Sequence, residues 1–385
     1  MTISRVRLFQ VTLPEDTWIW LAVETGDGRC GWGECWSSGW PSAALGAWAD
    51  AWAARLAGRD PRRLAEARAE RPDPPDGRAG GPAATVASAI DQALWDLYAQ
   101  AWGVPLAVAL GGFGRTTIPL YANLNRGLRR DRRPEALAAR GAAARSAGFA
   151  VVKCAPFDEV RPDTGTGQVE AGLARLYALA QEVPWDRIAI DCHERFTGRL
   201  LAAVLDALPG TPYWIEDPLA PPAWRDWRWI RERHPTIRWA AGERADTWTA
   251  LERLRRRGVD VLMPDLTLAG GVSPVRAWIT VWEDLGGRLS LHNPWGPIAT
   301  AHAAHVMATS RGDVPLEWAW GVTPQRATAT IPREPVRAGH YVIPPTPGIG
   351  IAPDPAFLSL YAQEWTARGW RPVSPDTACP YPKED

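Results

Sequence analysis

Residues 3–36 fall into three short runs of alternating or clustered apolar positions, ISRVRLFQVTL, WIWLAVET and CGWGECW, separated by PEDT and GDGR. Period-two patterning bounded by turn residues predicts three strands of a meander. From about Pro41 to Gly111 the period changes. Alanine-rich SAALGAWADAWAARLAG and AATVASAIDQALWDLYAQAWG carry helical spacing, and the Pro/Asp/Gly-rich piece 72–82 parts them. Residues 1–115 are therefore expected to form an α+β domain. Beyond LGGFGRTT, short apolar runs recur, each followed by an amphipathic segment: IPLYANLN (118–125), AVVKCAP (150–156), RIAIDCHE (187–194), YWIEDP (213–218), RWAAGE (238–243), VDVLMPD (259–265), RLSLHN (288–293) and PLEWAW (315–320). Such a series predicts a (β/α)8 barrel over residues 116–338. A doubly wound open sheet is the alternative, but no Gly-rich phosphate loop follows the first strand. Residues 339–385, which include IPPTPGIGIAP, are too few to fold alone and are expected to return onto the first domain.

At 385 residues the chain has length for a large barrel or two to three domains, and its 46% hydrophobic and 22% charged content is that of a folded protein. Net charge is zero, which removes a broad electrostatic case for nucleic acid or an anionic membrane. MTISRVRLFQ lacks an apolar signal core and no apolar run has spanning length, so a cytoplasmic enzyme is expected. Cys30, Cys35, Cys154, Cys192 and Cys379 are odd in number and lack a CxxC pair. They read as small buried hydrophobes rather than a disulfide or zinc framework. The 23 tryptophans, several in TWIW and GWGECWSSGW, read mostly as packing, a minority as pocket walls.

The barrel runs end on ionisable groups. Lys153, Asp191, Glu216, Glu243, Asp265, His292 and Glu317 stand at or near seven successive strand ends, which in a barrel face one mouth. Lys153 stands out further, since only it and Lys383 are lysine among 43 basic residues. A lysine is a compact point charge where arginine is a broad fork, and it can approach a carboxylate closely. Asp191, Glu216 and Glu243 would meet with nothing of opposite sign among them, an arrangement that implies a hard divalent cation. Oxygen-only ligation fits Mg2+, with Mn2+ the alternative, and disfavours zinc. Asp265 and His292 could pair through one imidazole N–H, which would orient the ring and raise its basicity.

These residues resemble the enolase superfamily, in its mandelate racemase / muconate lactonizing branch. GWGEC, ASAIDQALWDLYAQAWGVPLAVALGG and TPGIGI match its capping domain; IDCHERF, IEDP, GER, PDLTLAGG and HNPWGPIA match its barrel. The resemblance implies a modified (β/α)7β TIM barrel with an α+β capping domain, Mg2+ on Asp191, Glu216 and Glu243, and an Asp265–His292 dyad. Many members carry Lys-x-Lys on the second barrel strand, where this chain has Lys153-Cys154-Ala155. Lys153 then matches the lysine that neutralises a substrate carboxylate, and the second base is missing. His193, two residues beyond Asp191, is expected to face the same interior by strand alternation. Asp-x-His is also the pattern of acid-sugar dehydratases such as galactonate dehydratases, where that histidine takes part in acid–base chemistry.

The expectation is a dehydratase of a hydroxylated carboxylate, in which His292 takes the α-proton and His193 protonates the departing β-hydroxyl. Glu317 would hydrogen-bond the substrate carboxylate or enolic oxygen, Asn123 or Asn125 its hydroxyls, and Trp18, Trp36 or Trp40 would wall the distal pocket beside Ser37 and Ser38. A racemase, epimerase or cycloisomerase is the alternative within the superfamily, and a non-catalytic metal-binding scaffold the alternative outside it. A homo-oligomer acting on a small-molecule carboxylate is expected.

Overall fold

The computed structural model describes residues 1–37, 39–70, 81–112, 114–161, 167–219 and 221–374. Ser38, Cys379, Lys383 and nearly all of the 72–82 spacer lie outside the described residues. Strands β1 (Ile3–Thr12), β2 (Thr17–Thr25) and β3 (Cys30–Cys35) pair in antiparallel succession, as the alternation predicts. Helices α1 (Ser42–Leu56) and α3 (Pro82–Ala101) match the alanine-rich segments, while α2 (Leu64–Ala69) was not anticipated. Strand β3 forms one edge of this sheet, and α3 lies directly on it. A Cβ at Gly31 or Gly33 would meet the carbonyl oxygens of Ala93 or Ala89 at 2.1 and 2.0 Å, so only glycine permits the approach. The edge is then satisfied by side chains at helical spacing. Asp96 accepts from Trp32 N, Gln92 exchanges bonds with the backbone of Glu34, and Gln100 donates to Cys30 O.

The barrel strands are β4 (Thr117–Asn123), β5 (Val151–Cys154), β6 (Ile188–Asp191), β7 (Trp214–Glu216), β8 (Trp239–Ala241), β9 (Val261–Leu262), β10 (Arg288–Leu289) and β11 (Leu316–Ala319). They pair in parallel from β4 through β10, and β11 returns to β4. Side chains bridge β10 to β11: Ser290 Oγ donates to Pro315 O at 2.8 Å and Asn293 Nδ2 to Glu317 O at 3.0 Å. Helices Pro134–Ser146, Gly167–Glu182, Gly198–Ala207, Trp227–Arg233, Trp248–Arg256, Val272–Asp284 and Pro297–Met307 alternate with them. The pattern is a modified (β/α)7β barrel beneath an α+β cap. Tyr121, Val151, Ala189, Trp214, Ala240, Val261 and Met263 pack its inside.

The last segment divides its pairing. His340–Val342 lies antiparallel to β4, whereas Ala362–Thr366 joins β1 and extends the cap sheet to five strands with Gly369–Pro372. Cap and barrel meet across the helix Pro297–Met307. His302 Nε2 donates to Trp32 O at 2.8 Å, and His305 accepts from Ala107 N at 3.0 Å and donates to Ile349 O at 3.2 Å. No helix among the described residues is long and apolar enough to cross a membrane.

Candidate functional site

The carboxyl ends of the barrel strands open into a cavity of about 560 Å³ between barrel and cap. Asn123, Asn125, Lys153, Asp191, His193, Glu243 and His292 line its floor, and Trp36, Asp16 and Arg126 are among its walls. Glu216, Glu317 and Asp265 lie just beneath, each no more than 1% exposed. Of the residues singled out from sequence, these ten floor and subfloor side chains and Trp36 come together.

Lys153 stands at the centre, not apart from the carboxylates. Its Nζ is 2.8 Å from Glu216 Oε1, 3.0 Å from Glu317 Oε1 and 3.5 Å from Asp191 Oδ2, with 1% of the side chain exposed. This corrects the reading of Asp191, Glu216 and Glu243 as a group with no cation among them. Backbone register explains it: Lys153 pairs level with Ala189, two residues below Asp191, and its four-carbon stem climbs to the carboxylates. Burial disfavours the ammonium, but Glu216 and Glu317 outweigh it and hold its pKa well above the ordinary value.

Two histidines stand at the ends of the row. His292 Nδ1 lies 2.7 Å from Asp265 Oδ2 and its Nε2 lies 3.2 Å from Glu243 Oε2. His193 Nδ1 lies 2.6 Å from Asp158 Oδ1 and its Nε2 lies 3.1 Å from Asp191 Oδ2. Each imidazole is thus backed by one carboxylate and turned toward another. Asp191 with Asp158 lifts His193 to about 11 against burial; burial depresses His292, yet Glu243, Glu317 and Asp265 bring it to about 10. Strand alternation is not what aims His193. β6 ends at Asp191, and His193 sits in a turn at φ 46°.

The donor set suits a hard cation. Among the described residues no three His, Cys, Asp or Glu donors already surround a common point, because Lys153 and the histidines occupy their oxygens. These cations act unevenly on the cluster: against burial, His193 and Lys153 hold Asp191 well below the ordinary carboxylate range. Burial, opposed by Lys153 and reinforced by Asp191 and Glu317, pushes Glu216 up to about 8. Asp217, in the turn after β7, is driven well above the carboxylate range by burial and by Glu243, Glu216 and Asp191. Asn125 donates to Asp191 Oδ2 at 3.1 Å while its own buried Oδ1 has no partner. Several buried carboxylates crowded together and an amide oxygen with no partner among the described residues fit an oxygen-liganded divalent ion.

Sequence reasoning missed the supports. Asp158 backs His193. Asn293 N donates to Glu317 Oε2 at 2.8 Å, and Asn123 Nδ2 holds Oε1. Trp295 Nε1 donates to Asp265 Oδ2 at 2.7 Å, and Thr267 donates through both N and Oγ1 to Asp265 Oδ1. Asn293, Trp295 and Thr267 all lie within HNPWGPIA and PDLTLAGG, so only their uncharged character hid them; Asp158 lies in an irregular turn with no pattern to mark it. Two assigned walls are corrected. Trp18 is 1% exposed, stacked on Trp20 at 5.5 Å, with Nε1 donating to Asp16, so it belongs to the apolar core that joins cap and barrel. Trp40 is 39% exposed and is absent from the cavity's described lining. Trp36 does line it, 6.2 Å from the His292 ring at 27° and 4.6 Å from Trp295.

Residues 136–357 match the family model described as enolase C-terminal domain-like, and residues 3–111 match that of the mandelate racemase / muconate lactonizing enzyme N-terminal domain. A D-galactonate dehydratase of Ralstonia nicotianae is 29% identical over 384 residues, 96% of this chain and 98% of the relative. A D-gluconate dehydratase of Thermoproteus tenax is 30% identical over 305 residues, 75% of this chain and 61% of the relative. Among solved structures, a mandelate racemase/muconate lactonizing enzyme-like protein of Rubrobacter xylanophilus superposes with TM-score 0.82 at 27% identity, covering 92% of this chain and 95% of that one. An enolase and candidate galactarate dehydratase of Agrobacterium radiobacter, with sodium and L-malate bound, superposes with TM-score 0.79 at 27% identity, covering 94% and 95%.

Proposed function

The chain belongs to the mandelate racemase / muconate lactonizing enzyme branch of the enolase superfamily, and from that premise we propose that it is a Mg2+-dependent dehydratase of an acid sugar. One observation carries the reading: two imidazoles, each backed at Nδ1 by a carboxylate, stand at opposite ends of one carboxylate row. β-Elimination of water needs a base for the α-proton and an acid for the leaving hydroxyl, and this arrangement offers both. The relatives named D-galactonate and D-gluconate dehydratase act on substrates of that kind.

Asp191, Glu216 and Glu243 would hold the cation. When bound, it supplies positive charge that favours the substrate carboxylate and the enediolate over the neutral acid. The protein's own groups do the rest. Lys153 adds a buried positive charge beside the same carboxylate. Against burial, His292 is held protonated chiefly by Glu243, so it would act as the neutral base once Glu243 turns to the cation; its Nε2 would then take the α-proton, with Asp265 at Nδ1 orienting the ring and steadying the imidazolium. His193 is held protonated by Asp191 and Asp158, which suits delivery of a proton from Nε2 to the β-hydroxyl oxygen as water leaves. Glu317, fixed by Asn123, Asn293 and Lys153, would meet the carboxylate or enolic oxygen, and the enol product tautomerises to a 2-keto-3-deoxy acid. This reading assigns chemistry to the barrel, residues 116–338, and specificity to the cap through Trp36.

The same two histidines would serve an epimerase, in which the enediolate is reprotonated rather than dehydrated. The buried Ala155, where the resemblance has a second lysine, favours elimination. A panel of aldonates and aldarates that includes D-galactonate and D-gluconate, incubated with enzyme and Mg2+, decides it. Formation of a 2-keto acid supports dehydration; an epimer without keto acid would transfer the chain to the alternative, and no change in any substrate would remove both.

A further inference from the structure

We propose that Glu34 of the cap is a positioning residue for the proton-abstracting loop, coupling cap docking to the orientation of His292. The inference rests on the reading of His292 as the base. Glu34 is wholly buried, and among the described residues no Lys or Arg pairs with it. Its two oxygens instead accept one backbone bond each, from Gly296 N at 2.7 Å and Ala299 N at 2.9 Å. Those donors open the helix Pro297–Met307, whose own N-cap position, Gly296, has no side chain to cap it. The capping carboxylate arrives from 262 positions away in the chain. Gly296 has φ −71°, a backbone any residue adopts, yet a Cβ there would meet Glu34 Oε1 at 2.6 Å and Trp18 at 3.0 Å. The glycine is therefore required by the contact, not by the backbone.

The five residues before this junction carry the base. His292 and Trp295 both reach Asp265 Oδ2, at 2.7 Å each. Asn293 N is fixed on Glu317, Pro294 O accepts from Arg126 at 3.2 Å, and Trp295 O accepts from Arg326 at 2.7 Å. Glu34 closes the far end of that strap. The carboxylate is itself held rigid, since Gln92 fixes its backbone on both sides and Trp36, two residues on, lies against the His292 ring. Packing alone would be served by an apolar residue at lower cost, because a buried carboxylate must offset its desolvation through the bonds it makes. What those bonds add is a fixed height for Gly296, and through it for Trp295, Asp265 and the imidazole.

The test uses the full-length enzyme with Mg2+ and the fastest acid sugar of the panel, comparing wild type with Glu34→Gln and with Gly296→Ala, which crowds the same contact from the other side. We expect kcat to fall about tenfold to hundredfold, the range for a small misplacement of a reacting group, with KM and Mg2+ affinity within about threefold. The hydrogen-bonded Nδ1–H proton of His292, identified by its loss in His292→Asn, should move in the NMR spectrum while the His305 resonances stay. If Glu34→Gln does not fold, Gly296→Ala carries the same test. A kcat within twofold of wild type, an unmoved His292 resonance, or a loss that appears only with lost Mg2+ affinity or folded fraction overturns the proposal. Wild-type kcat in Glu34→Gln beside an inactive His292→Asn overturns this inference alone, whereas an active His292→Asn removes the base and this proposal with it.

Discussion

Acidification should loosen the joint between cap and barrel, because two histidines there are buried as neutral rings. His302 and His305 are wholly buried. His302 Nε2 donates to Trp32 O, and among the described residues its Nδ1 has no acceptor to receive a second proton's bond. His305 Nδ1 already accepts from Ala107 N, so a proton there would set two donors face to face. Burial accordingly lowers the two from the ordinary 6.5 to about 3 and about 4. The unfolded chain binds these protons near pH 6.5 and the folded chain does not, so the stability they contribute is full above that pH and is lost as pH falls toward 4. Each pH unit in the window costs about 1.4 kcal/mol per histidine. Between pH 6.5 and 5 that is about 2 kcal/mol each and about 4 together, a large share of a typical 5–15 kcal/mol. Urea unfolding at pH 7 and pH 5, for wild type, His302→Asn, His305→Asn and the double variant, measures it. The differences cancel groups of opposite sign, such as Glu34 and Asp96, which burial raises to about 7 and about 6. Each single variant should lose about 2 kcal/mol less than wild type on acidification. Parallel losses in all four proteins would refute the reasoning.

Three further outcomes are expected. Glu216→Gln or Asp191→Asn should abolish Mg2+ binding in calorimetry with circular dichroism unchanged, and unaltered affinity in both would remove the ligand assignment. Lys153→Met should lower stability in EDTA by about 3–5 kcal/mol, since it strands buried carboxylates, with part of the loss restored by Mg2+; urea unfolding with and without metal reads both, and wild-type stability in EDTA would show that Lys153 does not balance the cluster. Trp36→Ala should raise KM or reorder preference across the acid-sugar panel, whereas Trp18→Ala should cost about 3–5 kcal/mol of stability and leave the order unchanged.

Much of the architecture was legible because apolar periodicity is local. The alternation in residues 3–36 and the eight apolar runs each report their own burial, and the strands lie within them. What periodicity does not carry is lateral register. Lys153 and the three carboxylates were each placed at a strand end, but only the pairing of Lys153 with Ala189, and of Asp191 with Glu216, brings the ammonium up among them. Trp18 shows the same limit from another side: its alternation announced burial without saying whether the buried face met the cavity or the packed seam between cap and barrel. His193 faces the site through a turn with positive φ, which lies outside any strand pattern. The supports were least visible, because Asp158, Asn293 and Trp295 act by hydrogen bonds between separate segments of the chain, and Glu34 bonds a helix 262 residues away.

The account's central claim is that His292 abstracts the α-proton of an acid sugar. Deuterium incorporation at the α-carbon in D2O, followed by NMR with Mg2+ present, tests it most directly. Wild-type enzyme should label or dehydrate at least one member of the aldonate and aldarate panel, and His292→Asn should suppress that exchange by about 10²–10⁴-fold while still binding Mg2+. Exchange in His292→Asn at the wild-type rate, or no exchange by the wild type on any member of the panel, would contradict it.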